Sequence, residues 1–352
     1  MRILVADEIS NGTPGFELEM FSHRADVDFL DFGVGRMANS RVVPLQWNEV
    51  VSRIRQRVYR AAFIGKPPRL WNPRKALLRN AVRLLRYSTH GRRAFRLSPL
   101  LSQLRRAEVP IAGVDTSDAP IIDNSRFAIL GAADLFFKRE LPTNPANAFL
   151  YTDDRTEDTG NITRLPFFSA NVGKLRPVSL GLNDARYDRL AAHQREKDID
   201  VFFAGAVANR PTRALGLAQL NRLREQGFRV LASDAPYPEE EYMALAGRAL
   251  ISWSPEGFGF DCNRTYEVAG AGSVPLLKVS PIQAYAPFTD TVNALFYTHE
   301  GHDLYQATAA ALADRGRLVR MGNQAREHVQ NHHRHSVLAE HLVTTLLACR
   351  PR

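Results

Sequence analysis

The stretch Ser254–Leu277, SPEGFGFDCNRTYEVAGAGSVPLL, places residues suited to binding phosphate and sugar at the start of a predicted helix. Asn263, Arg264 and Glu267 follow an apolar strand and a glycine-containing loop. The first turn of a helix has backbone N–H groups without intrahelical partners and a partial positive charge, which favours a phosphate. Arg264 adds a forked donor for a diphosphate, and Glu267 lies one turn later, where a carboxylate can hold the hydroxyls of a ribose. The spacing therefore predicts a nucleotide-sugar site.

On the residues PEGFG and RTYEVAGAGSVP, this stretch resembles the donor-binding segment of GT-B glycosyltransferases. It is most similar to bacterial spore-protein-like and exostosin-like members, which carry an F-(R)-x-(Y/F)-E-A-x-A-x-G-x-V-P run. In retaining members of the larger group two glutamates have seven residues between them, whereas Glu256 and Glu267 have ten. The resemblance implies an α/β fold of two Rossmann-like domains facing a cleft, a hexosyltransferase-like enzyme with a nucleotide-sugar as donor substrate, and neither cofactor nor metal.

A second group of donor-binding candidates follows the strand predicted in DIDVFFAGAV. Gly205 ends this strand, and Asn209, Arg210 and Arg213 cluster at the start of the next helix. A departing nucleoside diphosphate gains negative charge, which an arginine here would offset. In the alternative, Asn209 or Thr212 caps the helix and the arginines are solvated. The donor-binding residues predicted from the two stretches are Gly205, Asn209, Arg210, Arg213, Gly257, Phe258, Gly259, Asn263, Arg264 and Glu267.

Four carboxylates and two glycines in loops after the predicted strands RILVA and VPIAGV are candidates for the acceptor side. Ligands of α/β sheets bind at the carboxyl edge, and a general base must lie within hydrogen-bond reach of the acceptor hydroxyl. The glycines let the backbone approach a ligand closely. In the alternative, the acids solvate their loops and cap helices. The candidate bases are Asp7, Glu8, Asp115 and Asp118, and the glycines of the acceptor-side loop are Gly12 and Gly15.

Strands that alternate with helices predict parallel sheets in two domains. Residues 1–178 are predicted as an acceptor-side Rossmann-like domain with a basic helical insert at 53–106. Residues 179–330 are predicted as the nucleotide-sugar-binding Rossmann-like domain, and 331–352 as a C-terminal helix. Within the first domain, the apolar spacing of PLQWNEVVSRIRQRVYRAAFIG predicts a single helix over 44–65.

The net charge of +9 comes from one segment, because residues 53–106 hold 16 Lys and Arg and no Asp or Glu. A helix predicted over 74–88 has a leucine face and an arginine stripe, which suits an anionic membrane surface. A nucleic-acid contact is one alternative, and a solvated helix that packs its leucines on the domain is the other. The asymmetry indicates an acidic partner for this segment.

Other classes of protein lose support from what the sequence lacks. There is no run of 18 apolar residues to span a bilayer and no long apolar core of a signal peptide, and Cys262 and Cys349 are the only cysteines. A cytoplasmic location is expected, peripheral on the inner face of the membrane if 53–106 binds there. His332, His333 and His335 have no further ligands at metal-binding spacing, so a solvated helix is predicted there. The motifs of serine hydrolases, P-loop NTPases and dinucleotide-binding dehydrogenases are absent.

The combined prediction is a glycosyltransferase that moves a sugar from a nucleoside-diphosphate donor to the hydroxyl of a sugar, a lipid-linked acceptor or a protein, in surface polysaccharide or glycolipid synthesis. Two alternatives stay open. The first is a nucleic-acid-binding or DNA-base-glycosylating protein that uses the segment 53–106. The second is a non-catalytic protein that binds a nucleotide-sugar.

Overall fold

The computed structural model describes residues 1–7, 18–32, 43–65, 97–123, 126–151, 161–162, 169–193, 195–207, 211–298 and 303–349. The chain divides into two compact units. The first is Met1–Val178 together with Ala339–Arg352, and the second is Ser179–Leu338. The last residues of the chain therefore belong to the N-terminal unit.

The first unit is built on a six-stranded parallel sheet with the order β2-β1-β3-β4-β5-β8. Its strands are almost wholly buried, as expected for a parallel sheet covered on both faces. The strands are β1 Arg2–Asp7, β2 Val27–Asp31, β3 Tyr59–Ile64, β4 Ile111–Asp115, β5 Leu135–Lys138 and β8 Leu175–Pro177. The helices are α1 Trp47–Arg55, α2 Leu97–Arg106 and α3 Phe127–Ala132, and β6 Leu150–Tyr151 pairs antiparallel with β7 Asn161–Ile162.

The prediction of a single helix over 44–65 is wrong for the residues after Arg55. Helix α1 ends at Arg55, Arg57 adopts a positive φ of 55°, and the chain enters the central strand β3. The run YRAAFI is buried at five of its six positions between β1 and β4. A short apolar run of this kind has no clear period, because both faces of the strand are covered, so periodicity cannot distinguish it from a buried helix.

The second unit is built on a five-stranded parallel sheet with the order β10-β9-β11-β12-β13. The strands are β9 Ile199–Ala204, β10 Val230–Ser233, β11 Ala249–Trp253, β12 Val274–Lys278 and β13 Leu295–Tyr297. The helices are α4 Asp184–Ala192, α5 Pro211–Glu225, α6 Glu239–Arg248, α7 Asn263–Gly270, α8 Leu304–Leu312 and α9 Arg315–His328. A π-turn, Val329–His333, follows α9, and α10 His335–Ala348 ends the described chain. The predicted α/β fold with two parallel sheets is confirmed.

Two features of the second sheet define the position of the candidate site. Strands β9 and β11 are adjacent and parallel, so the loops after Ala204 and Trp253 leave the same edge of the sheet. Beneath this edge the rings of Phe203 and Trp253 pack with centroids 4.6 Å apart, and the Trp253 indole N–H donates to the hydroxyl of Tyr297 at 3.0 Å. The edge therefore rests on a rigid aromatic core.

The histidines near the C-terminus differ from the prediction of a solvated helix. His332 is exposed, but His333 is 1% exposed at the end of the π-turn. Its Nδ1 lies 3.0 Å from the Ser179 hydroxyl, and its Nε2 lies 3.0 Å from the carbonyl oxygen of Ala286. This histidine is a core residue whose two ring nitrogens are both satisfied.

Candidate functional site

Arg264 lies at the carboxyl edge of the second sheet and forms no ion pair within the part of the chain that the structure describes. Its guanidinium carbon lies 5.3 Å from the centre of the Phe203 ring, a cation–π contact. Gly205 leaves the space for it, because a Cβ atom at Gly205 would lie 2.5 Å from Arg264 Nη2. The Nη1 atom is buried and has no hydrogen-bond partner among the described residues. An arginine held in this way is suited to binding an anion.

The helix that carries Arg264 begins directly beside the loop that follows β11. Cys262 precedes α7 in an extended conformation and makes no side-chain cap, and no acidic residue occupies the first turn. Asn263 is exposed at this helix start. Behind it the hydroxyls of Ser254 and Thr265 are 3.0 Å apart and buried, which attaches the helix to the end of β11. The positive end of the helix dipole and the Arg264 charge both favour a negatively charged group.

Arg213 connects the two loops at this edge. Its guanidinium donates to the carbonyl oxygen of Ala206 at 2.9 Å and to that of Glu256 at 2.7 Å. The side chain is buried and comes from the first turn of α5. In this arrangement Arg213 fixes the loop after β9 against the loop after β11.

Glu267 lies one turn after Arg264 and is held from the other side by α4. Arg186 Nε donates to Glu267 Oε1 at 2.8 Å, and Arg186 also forms an ion pair with Glu239 at the start of α6. The Glu267 carboxylate is mostly buried. A fixed, acceptor-only carboxylate is the group required to receive hydrogen bonds from a vicinal diol.

Tyr242 of α6 lies behind the same carboxylate. Its hydroxyl oxygen is buried and has no hydrogen-bond partner within the described ranges. Burial, and then the neighbouring charge of Glu267, raise the pKa of Tyr242 well above its ordinary value, so the phenol keeps its proton. Its ring packs against Phe202 of β9 with centroids 5.7 Å apart.

The glycine-containing loop before α7 turns sharply and presents an aromatic side chain to solvent. The Gly257 N–H donates to the Gly259 carbonyl oxygen at 3.0 Å, and Phe258 between them is 82% exposed. Glu256 lies beside Lys278 at 3.3 Å, and its carbonyl oxygen is one of the acceptors of Arg213. The predicted donor residues Gly257, Phe258 and Gly259 therefore lie in the loop that Arg213 positions.

Several predicted site residues fall outside the residues that the structure describes. They are Glu8, Gly12, Gly15, Asn209 and Arg210. Their proposed roles in acceptor and donor binding stay predictions.

In the first unit the described candidate bases differ in how accessible they are. Asp7 is buried at the end of β1 and accepts a hydrogen bond from the Leu18 N–H at 3.0 Å. Asp115 is fully buried with Lys138 at 3.2 Å and Arg126 at 3.4 Å. Burial alone would raise the pKa of Asp115, but the two cations and the hydrogen bonds from Ser117 together hold the pKa below its ordinary value. Asp118 is 47% exposed and forms an ion pair with Arg139 at 2.7 Å.

The described residues contain no cluster of three or more His, Cys, Asp or Glu side chains that could hold a metal ion. None of the helices in the described ranges is long and apolar enough to cross a bilayer.

The sequence reasoning missed Arg186 and Tyr242, the two residues that surround Glu267 from outside its own motif. Arg186 comes from a segment that reads only as polar, and Tyr242 from the helix YPEEEYMALAGRA. They meet Glu267 only because α4 and α6 pack next to each other and α4 packs on α7. No local spacing carries this information.

No protein-family model and no curated protein sequence match the chain. Solved structures do share its fold. A glycosyltransferase from Rickettsia africae ESF-5 has a TM-score of 0.54 at 9% identity, with 99% of this chain and 98% of that chain covered. An alpha-glucosyltransferase in complex with UDP and a 13-mer DNA containing a HMU base has a TM-score of 0.53 at 10% identity, with 99% of each chain covered. Anabaena Alr3699/HepE in complex with UDP has a TM-score of 0.50 at 13% identity, with 99% of this chain and 100% of that chain covered.

The chain therefore has the GT-B fold of these glycosyltransferases. At such low identity the likeness establishes the fold, whereas the activity has to be argued from the site.

Proposed function

We propose that this protein is a glycosyltransferase that moves a sugar from a nucleoside-diphosphate sugar to an acceptor hydroxyl. The observation that carries the proposal is the Arg264 guanidinium, whose Nη2 packs over Gly205 and whose buried Nη1 has no hydrogen-bond partner among the described residues. It lies at the start of a helix whose next turn presents Glu267. In a nucleoside diphosphate the pyrophosphate is joined to the ribose. The two groups follow each other in the same order, and with a similar spacing, as Arg264 and Glu267 along the helix. The complexes of similar folds with UDP support a nucleotide donor.

In this proposal each residue acts on one part of the donor. Arg264 and the first-turn amides of α7, with Arg210 as a predicted addition, bind the diphosphate, and Glu267 accepts hydrogen bonds from the ribose hydroxyls. Gly205 gives Arg264 its space, and Arg213 holds the two loops together. The glycine turn at Gly257 and Gly259, with Phe258 and Asn263, adjoins the sugar and phosphates.

The chemistry follows from where charge develops. The bond between the anomeric carbon of the sugar and the diphosphate oxygen breaks, and the bonding electrons leave with the diphosphate. The acceptor oxygen forms the new bond to the anomeric carbon, and its proton passes to a general base. Arg264 stabilises the negative charge that grows on the leaving diphosphate. This electrostatic stabilisation is strongest in a site that excludes water.

Among the described candidate bases Asp118 is the accessible one, because Asp7 and Asp115 are both fully buried. Glu8 lies outside the described residues and stays a candidate from the sequence. Asp115 has no exposed atom, and two cations hold it ionised. An acceptor hydroxyl could reach it only after that buried network opened. Asp115 is therefore better suited to fixing the end of β4 than to taking a proton.

We further propose that the acceptor belongs to surface polysaccharide or glycolipid synthesis and that the basic segment binds an anionic membrane surface from the cytoplasmic side. Of the described basic residues in 53–106, Arg53, Arg57, Arg60 and Arg105 already have acidic partners in the first unit. Ten further basic residues of the segment lie within 66–96, outside the described residues, with no acidic residue between them in sequence. Co-sedimentation with anionic but not zwitterionic vesicles would support this, and binding to DNA that vesicles do not displace would favour the nucleic-acid alternative.

The direct test of the activity is release of nucleoside diphosphate from nucleotide-sugars by wild-type protein and by Arg264→Ala and Glu267→Ala. Loss of one preorganised charge-stabilising group is expected to lower kcat by about 10²–10³ for Arg264→Ala. Glu267→Ala is expected to raise KM for the donor strongly. Unchanged turnover in both variants would remove the site assignment.

Arg222→Ala is the matched control. Arg222 also stacks on an aromatic ring, 4.5 Å from the centre of Tyr305, but it lies on α5 away from the proposed ligand. Its variant is expected to turn over like the wild type. Tight binding of a nucleotide-sugar with no release of product over long incubation would instead favour the non-catalytic alternative.

A further inference from the structure

Tyr242 is a buried polar group near Glu267 that the proposed function does not use. In the described part of the chain its hydroxyl lies near Glu267 and Arg264. No described atom meets the distance and angle of a hydrogen bond with it. Leaving a buried hydroxyl unpaired costs stability, so such a group in a folded protein calls for an explanation. Glu267 raises the pKa of the phenol through its charge and through a polar contact with the hydroxyl. That contact does not meet the distance and angle of a hydrogen bond.

The chemistry of a ribose hydroxyl supplies the missing partner. A hydroxyl group donates one hydrogen bond and accepts others, whereas a carboxylate only accepts. A ribose hydroxyl that donates to Glu267 therefore needs a donor for its own lone pairs. Arg186 forms ion pairs with Glu267 and Glu239. Among the described residues, the Tyr242 phenol is a donor near Glu267 that has no hydrogen-bond partner of its own.

We propose that the Tyr242 hydroxyl donates a hydrogen bond to the ribose hydroxyl that Glu267 accepts from, so that Tyr242 selects ribonucleotides over deoxyribonucleotides. The inference rests on the proposed function, since it adds a residue to the same donor site. It involves no covalent step. A hydroxyl that is unpaired in the free protein becomes paired only when the ligand is bound, so its contribution falls on binding and not on folding.

The variant Tyr242→Phe removes only this hydroxyl. Binding of the nucleoside diphosphate that binds the wild type is measured by titration calorimetry, together with binding of its 2′-deoxy and 3′-deoxy analogues. Loss of one hydrogen bond is expected to weaken binding of the ribonucleotide by about threefold to tenfold. The preference for the ribonucleotide over at least one deoxy analogue is expected to shrink by the same factor, because the protein and ligand hydroxyls form one pair.

Tyr59→Phe is the matched control, because it removes a buried phenol hydroxyl that is paired, with Asp28 at 3.0 Å in the first unit. Tyr59→Phe is expected to lower Tm and leave binding unchanged, whereas Tyr242→Phe is expected to keep or raise Tm and weaken binding.

The outcomes separate this inference from the function it rests on. If the wild type binds the ribonucleotide and Glu267→Ala does not, but Tyr242→Phe keeps both affinity and ribose preference, the role of Tyr242 is overturned and the donor site stands. If no nucleoside diphosphate binds the wild type, both fail. Weaker binding by Tyr242→Phe with an unchanged ribose preference would also overturn the inference, because the phenol would then contact another part of the ligand.

Discussion

The Arg264 side chain is expected to lower the stability of the free protein and to strengthen its binding of an anionic ligand. A buried donor without a partner costs about 1–3 kcal/mol, and its contact with Phe203 recovers part of that. An anionic ligand would satisfy the free nitrogen and recover the rest. Part of the free energy of binding would therefore come from a hydrogen bond that the free protein does not make.

Gly205→Ala tests this arrangement without touching the arginine. The new Cβ atom would lie 2.5 Å from Arg264 Nη2, so the guanidinium must move away from its place over Phe203. Losing a charge-assisted hydrogen bond to the ligand is expected to weaken binding of a nucleoside diphosphate by about tenfold or more, measured by calorimetry.

Gly227→Ala is the control for Gly205→Ala. Gly227 has a positive φ of 90° and nothing within 4 Å of the new Cβ atom, so its substitution strains the backbone and lowers Tm without affecting the ligand. Equal affinities of Gly205→Ala and wild type would show that the position of Arg264 does not matter for binding.

At this scale the sequence indicated the residues of one motif and not their neighbours. Arg264 and Glu267 follow from a strand, a glycine loop and a helix start that are contiguous in sequence. Arg186 and Tyr242 approach from other helices. The role of Arg213 in donor binding stays a prediction, and the sequence did not indicate that its guanidinium donates to two loop carbonyl oxygens. Which acceptor an arginine finds depends on packing that local sequence does not encode.

At the scale of elements, the site depends on how α9 supports the turn after α7. Gly322 of α9 packs so closely on that turn that a Cβ atom there would lie 2.4 Å from the carbonyl oxygen of Gly272. The backbone cannot yield as a flexible side chain would. Gly322→Ala is therefore expected to destabilise the protein by about 1–3 kcal/mol, seen as a lower midpoint of urea unfolding.

Gly316→Ala in the same helix provides the comparison. The nearest atom to its new Cβ would be 3.5 Å away, which is ordinary contact, and alanine favours a helix more than glycine does. An unchanged or higher midpoint is expected. If both alanine variants had the same midpoint, the close packing of α9 on the turn would not contribute to stability.

Most elements were predictable because strands and helices alternate with their own periods. The strand β3 is the instructive exception. Its run YRAAFI follows α1 after only a few residues and continues an apolar spacing that fits a helix up to Ala61 or Ala62. Tertiary structure determines that this run forms a strand, because it pairs between β1 and β4 in the sheet.

At the scale of the whole molecule, two features concern charge. The excess of basic residues lies in the segment 53–106. One buried histidine makes the free energy of unfolding depend on pH. Burial, and then the neighbouring His328, lower the pKa of His333 from 6.5 to about 3. In the unfolded chain this histidine takes up a proton near pH 6.5. As pH falls from 6.5 towards 3, the unfolded state binds more protons than the folded state, so the free energy of unfolding decreases across this range. Above pH 6.5 the contribution of His333 to stability is fully present.

The expected loss between pH 7.5 and pH 5 is about 2 kcal/mol, measured by urea unfolding at the two values. His333→Gln should be less stable at pH 7.5, since it disturbs the contacts with Ser179 and Ala286, but its stability should depend less on pH. The half-buried His328, whose pKa is also lowered by burial, leaves some dependence in the variant. An identical pH dependence in the wild type and the variant would contradict the assignment to His333.

The central claim is that the second unit binds a nucleoside diphosphate through Arg264 and Glu267. The most direct measurement is a thermal-shift panel of nucleoside diphosphates with the wild type, Arg264→Ala and Glu267→Ala. A ligand at a hundred times its dissociation constant stabilises the folded state by about 2.7 kcal/mol. We expect at least one nucleoside diphosphate to raise Tm of the wild type and to have little effect on either variant. Shifts of equal size in all three proteins, or none in the wild type, would contradict the account.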